Sequence, residues 1–178
     1  VELDIKSCHA TMAFAHVGID WYAQSDQDLY SRLEEKDWPR DVVKKAFNIM
    51  MNAPRRSSAI FALNEQQRKT GFLFDNGMSS FTGWSFDLVS SKQDAYPELE
   101  DVFYAELGNH FMNKEGNICM ALADWAIRKP VPVLTIHDNF ICPTSTVHKL
   151  DKVIGVHFGE MFGGRCLTKR NDFDLQPP

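Results

Sequence analysis

The pattern of apolar and polar positions along the chain predicts several helices and a few short strands. Residues 1–5 have the pattern of a strand, and residues 18–25 resemble a turn. Asp37, Trp38 and Pro39 supply a cap and a first-turn proline for one of the helices. Helices are predicted over residues 7–16, 26–35, 39–52, 57–70, 97–111, 115–128 and 145–161. Residues 72–91 are rich in Gly, Ser, Phe and Asp without a clear period, and they receive no assignment.

A β-hairpin is predicted in the last third of the chain. Residues 131–136 and 140–142 are apolar, β-prone runs separated by His137, Asp138 and Asn139. The tail over residues 163–178 is predicted to be a loop or a docked terminal strand. Several helices around a small antiparallel sheet constitute an α+β fold class, and the length fits a single domain over residues 1–178.

Composition excludes several classes of protein. With 44% apolar residues the chain can fill a core, so disorder is not expected. There is no run of about eighteen apolar residues and no secretory leader, so we expect no membrane partner and a cytoplasmic location. The cysteines are widely spaced without a C-x-x-C pair, which predicts reduced thiols: Cys8, Cys119, Cys142 and Cys166.

The charge distribution leaves room for a nucleic-acid partner although the net charge is −5. Residues 36–69 contain eight basic and three acidic residues, a net charge of +5, so the rest of the chain carries −10. An ordinary solvated helical face is the alternative explanation of this basic stretch.

Two acids at the ends of apolar strands are the most informative chemical feature. Asp138 follows residues 133–136 of the predicted hairpin, and Asp4 lies in the first strand. An Asp-Asn turn alone would explain Asp138. Two such strands side by side, however, would bring both carboxylates together, and paired carboxylates bind divalent ions that catalyse phosphoryl transfer. We therefore expect a site for two Mg²⁺ or Mn²⁺ ions.

A polar stripe on one predicted helix could serve the same chemistry. Arg40, Lys44, Asn48 and Asn52 follow each other at four-residue spacing and so share one helix face. Arg40 and Lys44 could supply positive charge for a triphosphate. An amphipathic helix with a solvated face is the alternative.

The order of these motifs resembles the superfamily that joins family A DNA polymerases to phage-type single-subunit RNA polymerases. Leu3-Asp-Ile-Lys-Ser-Cys-His-Ala-Thr-Met12 is similar to motif A, and Arg40-Asp-Val-Val-Lys44 with Phe47 and Asn48 is similar to motif B. Ile136-His-Asp-Asn-Phe140 is similar to motif C, and Glu115-Gly-Asn with Trp125-Ala126 is similar to the segment upstream of motif C in the phage-type enzymes. The resemblance runs from residue 1 to about residue 163.

The resemblance implies a palm-and-fingers catalytic core of a nucleic-acid polymerase, as part of a longer protein whose upstream region contributes to duplex binding. Asp4, the carbonyl of Ile5, and Asp138 would bind the metal ions. Lys44 and His137 would join the two acids in catalysis. The residues implied to contact the nucleotide are Arg40, Lys44, Asn48, Asn52 and His9. The partners would be nucleoside triphosphates and a template, with DNA favoured over RNA, in a cytoplasmic, phage, plasmid or organellar setting.

Several positions depart from the family pattern. Asn52 and Ala53 replace the aromatic residue and glycine of motif B, and Asn139 replaces the Glu of the DNA polymerases or the Ser of the RNA polymerases. Asn139 favours the RNA branch. The bulky His9 lies where DNA polymerases of the family place a Glu as a sugar gate and the phage-type RNA polymerases have a small residue, and Ile118 aligns with the histidine by which the phage-type enzymes sense the sugar. These two sugar-selectivity signals conflict. A DNA polymerase or replicase, a catalytically degenerate nucleic-acid-binding module, and a metal-dependent phosphodiesterase using both acids with His137 remain as alternatives.

Overall fold

A computed structural model describes residues 1–36 and 38–173, and for residues 34–36 it describes the backbone alone. Asp37, one of the expected cap residues, and residues 174–178 of the tail lie outside the described residues. The chain divides into two compact units. Val1–Asp26 and His110–Pro178 form the first, the sheet unit, and Gln27–Asn109 forms the second, the inserted unit.

Eight α-helices and four strands occur within the described residues. The helices are α1 (Cys8–His16), α2 (Trp21–Gln24), α3 (Arg40–Asn52), α4 (Arg56–Thr70), α5 (Phe72–Asp75), α6 (Trp84–Ala95), α7 (Gly108–Arg128) and α8 (Val147–Phe162). The strands are β1 (Glu2–Ile5), β2 (Leu134–Ile136), β3 (Asn139–Ile141) and β4 (Thr168–Asn171).

The four described strands form one antiparallel sheet in the order β2-β3-β1-β4. This confirms the predicted α+β class with a small antiparallel sheet. The predicted hairpin is present as β2 and β3, and the tail contributes β4, which pairs with β1 from Glu2 opposite Asn171 to Ile5 opposite Thr168. The first strand of the chain is therefore an inner strand of the sheet.

The core of the sheet unit lies against one face of the sheet. Leu3 and Ile5 of β1 are buried, as is Phe140, which is directly opposite Leu3 on β3. Helix α1 buries six of its nine residues and contacts both α2 and α8. Because side chains alternate along a strand, the burial of Leu3 and Ile5 directs Asp4 to the opposite face.

The inserted unit has an aromatic core centred on α3. Phe47 makes edge-to-face contacts with Tyr30, Tyr96 and Phe103 at ring-centroid distances of 5.7, 6.2 and 5.6 Å. Such contacts are a favoured geometry for aromatic pairs. Lys92 of α6 is also fully buried in this core. Helices α3, α4 and α6 contact one another pairwise.

Some predicted elements were wrong. Residues 97–111 are not one helix: residues 97–99 form a 3₁₀ turn, and Tyr104 and Glu106 adopt left-handed backbone angles that interrupt any helix before α7 begins. Residues 26–30 are not helical, because the Asp28 carboxylate accepts the backbone N–H of Tyr30 and forms a local turn. The unassigned middle contains α5 and most of α6.

Two further predictions concern cysteines and membranes. Cys8, Cys119, Cys142 and Cys166 are all free thiols, as expected. Among the described residues, no helix combines the length and the apolar character that crossing a bilayer requires.

Candidate active site

Strand β1 carries Asp4, and the turn that leads into the neighbouring strand β3 carries Asp138. Asp4 is directly opposite Asn139 in the antiparallel register. One position further along, the backbone N–H of Ile5 donates to the carbonyl of Asp138 at 3.0 Å. Asp4 and Asp138 are both half-buried. The backbone around Asp4 is therefore directly paired with the backbone around Asp138.

Asn139 contacts Asp138 and lies opposite Asp4, an arrangement that the sequence did not reveal. Its Nδ2 donates to Oδ1 of Asp138 at 3.3 Å, and residues directly opposite in an antiparallel pair point to the same face, in this case Asn139 and Asp4. The sequence showed Asn139 only as a departure from the family pattern. Its contacts depend on the strand register, which becomes visible only in the folded chain.

Glu115 adds a third carboxylate to this part of the sheet unit. It lies on α7, and its side chain is 14% exposed. Its Oε2 is 3.0 Å from Nε2 of His9, and its Oε1 is 3.7 Å from Nδ1 of His137. Two predicted site histidines, separated by 128 positions in the sequence, thus contact a single carboxylate.

The buried thiol of Cys8 lies in the same unit as these carboxylates. Burial raises the pKa of Cys8 well above its ordinary value, and the carboxylates of Asp138, Glu115 and Asp4 raise it further. A buried thiol with a raised pKa is a poor nucleophile, so Cys8 is not suited to nucleophilic catalysis.

The turn that carries Asp138 has an unusual backbone. His137 adopts a left-handed conformation with φ of 55°, and its side chain is 82% exposed. The Sγ of Cys119, one helical turn after Glu115 on α7, donates to the carbonyl of His137 at 3.0 Å. A contact between α7 and this turn could not be predicted from spacing, because it joins residues of a helix and a hairpin through tertiary packing.

The donor set fits a hard divalent cation. Asp4 and Asp138 offer carboxylate oxygens, and Ile5, whose carbonyl is the third predicted ligand, directly follows Asp4 on β1. Within residues 1–36 and 38–173, no group of three or more His, Cys, Asp or Glu side chains is arranged to bind a metal ion. Two carboxylates are sufficient for Mg²⁺, which typically keeps its water ligands and takes further oxygens from substrate phosphates.

The predicted nucleotide-binding stripe lies on α3 in the inserted unit. Arg40 is paired with Asp28: its Nε and Nη2 donate to Oδ2 at 3.0 and 2.8 Å, and its guanidinium lies 5.2 Å from the centroid of the Tyr30 ring. Lys44 is exposed, so its ammonium is accessible to a ligand. The structure thus gives the two cations of the stripe different surroundings.

The two asparagines of the stripe contact each other. Asn52 donates through Nδ2 to the backbone carbonyl of Asn48 at 2.7 Å. The buried Oδ1 of Asn48 has no hydrogen-bond donor among the described residues. Asn52 borders an open depression of about 300 Å³ in the inserted unit, whose other lining residues are Ile49, Ala53, Pro54, Ser58 and Ala62.

Ile118, which aligned with the sugar-sensing position of the phage-type enzymes, is fully buried in α7. It offers no polar group to a sugar. His9, by contrast, is 25% exposed and is bonded to Glu115.

Comparisons with known proteins gave no match: no family model, no curated protein and no solved structure is significantly similar to this chain.

Proposed function

We propose that this chain is the catalytic core of a template-directed nucleotidyltransferase that uses two divalent metal ions. The observation that supports this most strongly is the hydrogen bond from the Ile5 N–H to the Asp138 carbonyl, which joins β1, the strand that carries Asp4, to the turn that carries Asp138. The order of the motifs in the sequence supports the same reaction class.

In this proposal each polar group has a separate task. Asp4, the carbonyl of Ile5 and Asp138 would hold the cations. Two divalent cations bound there would supply the charge that activates an attacking 3′-oxygen and stabilises a leaving pyrophosphate. Asn139 orients the carboxylate of Asp138 through its 3.3 Å hydrogen bond. Lys44 provides positive charge for the triphosphate, since phosphoryl transfer depends mainly on charge and alignment.

The remaining predicted site residues have supporting roles in the proposal. His9 and His137 lie on either side of Glu115, where they can contact the nucleotide or the primer end. Arg40 binds phosphate only after exchanging its Asp28 partner for the ligand. Asn48 and Asn52 continue the polar face of α3. Because Asn139 in motif C favours the RNA branch, we propose RNA as the product. A DNA polymerase or replicase of the same superfamily is the alternative, and the type of nucleotide incorporated distinguishes the two.

The Arg40–Asp28 ion pair favours a second candidate function. In the helix that would be the fingers helix, the Asp28 carboxylate binds Arg40, and Asn52 replaces the aromatic residue of motif B. Both features would suit a module that binds nucleic acid without catalysis. Such a module would bind template in a salt-dependent manner and would show no affinity for divalent metal ions.

The first test is the variant Asp138→Asn in a primed-template extension assay with Mg²⁺. The introduced amide keeps an oxygen that accepts the Asn139 hydrogen bond, so the fold is retained while a charged metal ligand is lost. We expect extension to fall more than about 100-fold, beyond the range typical of outer-shell changes at metal sites. Comparing dNTPs with NTPs in the same assay identifies the product.

Asp87→Asn is the matched control, because Asp87 is exposed on α6 of the inserted unit. It should leave extension unchanged. Full extension by Asp138→Asn would rule out the proposed role of the two acids, and template binding without any extension by the unaltered chain would favour the second candidate.

A further inference from the structure

Helix α7 contacts the Asp138 turn at two points. Glu115 and Cys119 are four residues apart and therefore lie on one face of the helix. Glu115 lies 3.7 Å from the His137 ring, and Cys119 donates to the His137 carbonyl. Both contacts fall on the residue immediately before Asp138.

This turn needs support from outside the hairpin. His137 is a non-glycine residue in the left-handed region, a conformation that persists where its surroundings fix it. Because its side chain is 82% exposed, core packing contributes little to holding it. From the sheet side, the Ile5 N–H holds the carbonyl of Asp138, and α7 holds the adjacent residue.

We propose that Glu115 is a positioning residue for the metal site, and that with Cys119 it fixes the orientation of Asp138. Glu115 is not itself a metal ligand in this assignment, because its two carboxylate oxygens face His9 and His137. It acts through those contacts, because its carboxylate contacts both His9 of α1 and His137 in the turn that carries Asp138. The inference rests on the proposed function, since it assigns a partner to the same two acids.

Binding of Mn²⁺ alone to the full chain tests the role of Glu115 without requiring turnover. Isothermal titration calorimetry should give about tenfold weaker Mn²⁺ binding for Glu115→Gln, as is typical of outer-shell changes at metal sites. Glu160→Gln is the matched control: Glu160 lies 3.2 Å from Nδ1 of His157 on α8 and makes the same type of contact elsewhere in the sheet unit. It should leave Mn²⁺ binding unchanged.

The contact of Cys119 provides a milder pair of variants if Glu115→Gln does not fold. Cys119→Ser keeps a donor for the His137 carbonyl, whereas Cys119→Ala removes it. We expect Cys119→Ala to weaken Mn²⁺ binding several-fold and Cys119→Ser to restore it. Equal binding by these two variants and the unaltered chain would overturn the contribution of Cys119.

NMR of the imidazole nitrogens, at one fixed pH and without metal, measures the contacts directly. Glu115→Gln should shift the ring signals of His9 and His137 and leave those of His157 in place. Unshifted rings together with unchanged Mn²⁺ binding would overturn the positioning role.

The variant Asp138→Asn separates this inference from the proposed function. If Asp138→Asn loses Mn²⁺ binding while Glu115→Gln retains it, the positioning role fails and the proposed function stands. If Asp138→Asn binds Mn²⁺ as well as the unaltered chain does, the proposed function itself fails.

Discussion

The amine of Lys92 lies inside the aromatic core of the inserted unit. Its Nζ is 4.0, 4.5 and 5.3 Å from the ring centroids of Tyr96, Phe47 and Tyr30, and no described residue accepts a hydrogen bond from it. The rings attract the ammonium through cation–π interactions. Burial acts in the opposite direction and lowers the pKa of Lys92 well below its ordinary value, with a smaller contribution from Arg32.

Replacing this amine by a thioether should stabilise the protein. Lys92→Met keeps a long, flexible side chain and removes a buried polar group that lacks a hydrogen bond. Burying such a group costs about 1–3 kcal/mol in mutational data. Since the cation–π contacts are lost as well, we expect the free energy of unfolding to rise by on the order of 1 kcal/mol. Urea unfolding near neutral pH measures it, with the exposed Lys45→Met as control.

The same residue makes stability depend on pH. Because the pKa of Lys92 is lower in the folded state than the ordinary value of 10.5, the unfolded chain binds more protons between those two values. The free energy of unfolding should therefore increase as pH rises through that window. Urea unfolding at about pH 8 and about pH 9.5 should show a smaller increase in Lys92→Met than in the unaltered chain. Identical pH dependence in both would contradict this assignment.

At the residue scale, the sequence predicted the acids but not their neighbours. Asp4 and Asp138 were recognisable because each accompanies an apolar strand, which is a local pattern. Glu115 contacts the hairpin turn from α7, and Asn139 lies opposite Asp4 because of the strand register. Neither leaves a periodic signal, so spacing alone could not have assigned their contacts.

At the scale of elements, Gly108 shows how tightly the start of α7 packs within the inserted unit. A Cβ at Gly108 would overlap the side-chain amide of Asn52, which donates to the carbonyl of Asn48. Gly108→Ala should therefore displace Asn52 and cost about 1 kcal/mol through the lost hydrogen bond.

A double-mutant cycle tests this cause. In an Asn52→Ala background, Gly108→Ala should cost much less, since the clashing group is gone. Thermal or urea unfolding of the four chains gives the coupling energy. If the destabilising effects of the two substitutions are additive, the effect of Gly108→Ala has another cause.

Elements defined by local signals were predicted well. The helix expected after Pro39 ends at Asn52 as predicted, and the hairpin appears around His137 and Asp138. The helix expected over residues 97–111 failed because its interruption depends on backbone hydrogen bonds from Tyr104 and Leu107 to the carbonyls of Met50 and Met51 on α3. These bonds join distant parts of the chain, and local propensity does not encode them.

At the scale of the whole molecule, the charge distribution predicts how the proposed binding of a template would respond to salt. The net charge is −5, yet Lys44 and Lys45 are exposed on α3 within the basic stretch. If both contact phosphates, Lys44→Ala with Lys45→Ala should reduce the slope of log K against log salt by about two. Fluorescence anisotropy with a labelled template between about 50 and 200 mM KCl measures the slope.

The control for this experiment is Lys149→Ala with Lys152→Ala, two exposed lysines of α8. It changes the net charge equally and should leave the slope unchanged. An equal reduction by both double variants would show that binding responds to total charge and not to the α3 surface.

The pairing of β1 with strands from the end of the chain determines when the candidate site can assemble during synthesis. Glu2 pairs with Ile141 on one side and with Asn171 on the other, whereas the inserted unit is complete once Asn109 has been made. A chain that emerges from the ribosome in order therefore has every residue of the inserted unit before β1 acquires its first neighbour. Translation must pass Ile141 before β1 can pair with β3, which brings Asp4 beside the turn that carries Asp138, and it must pass Asn171 before β4 can pair with the other edge of β1.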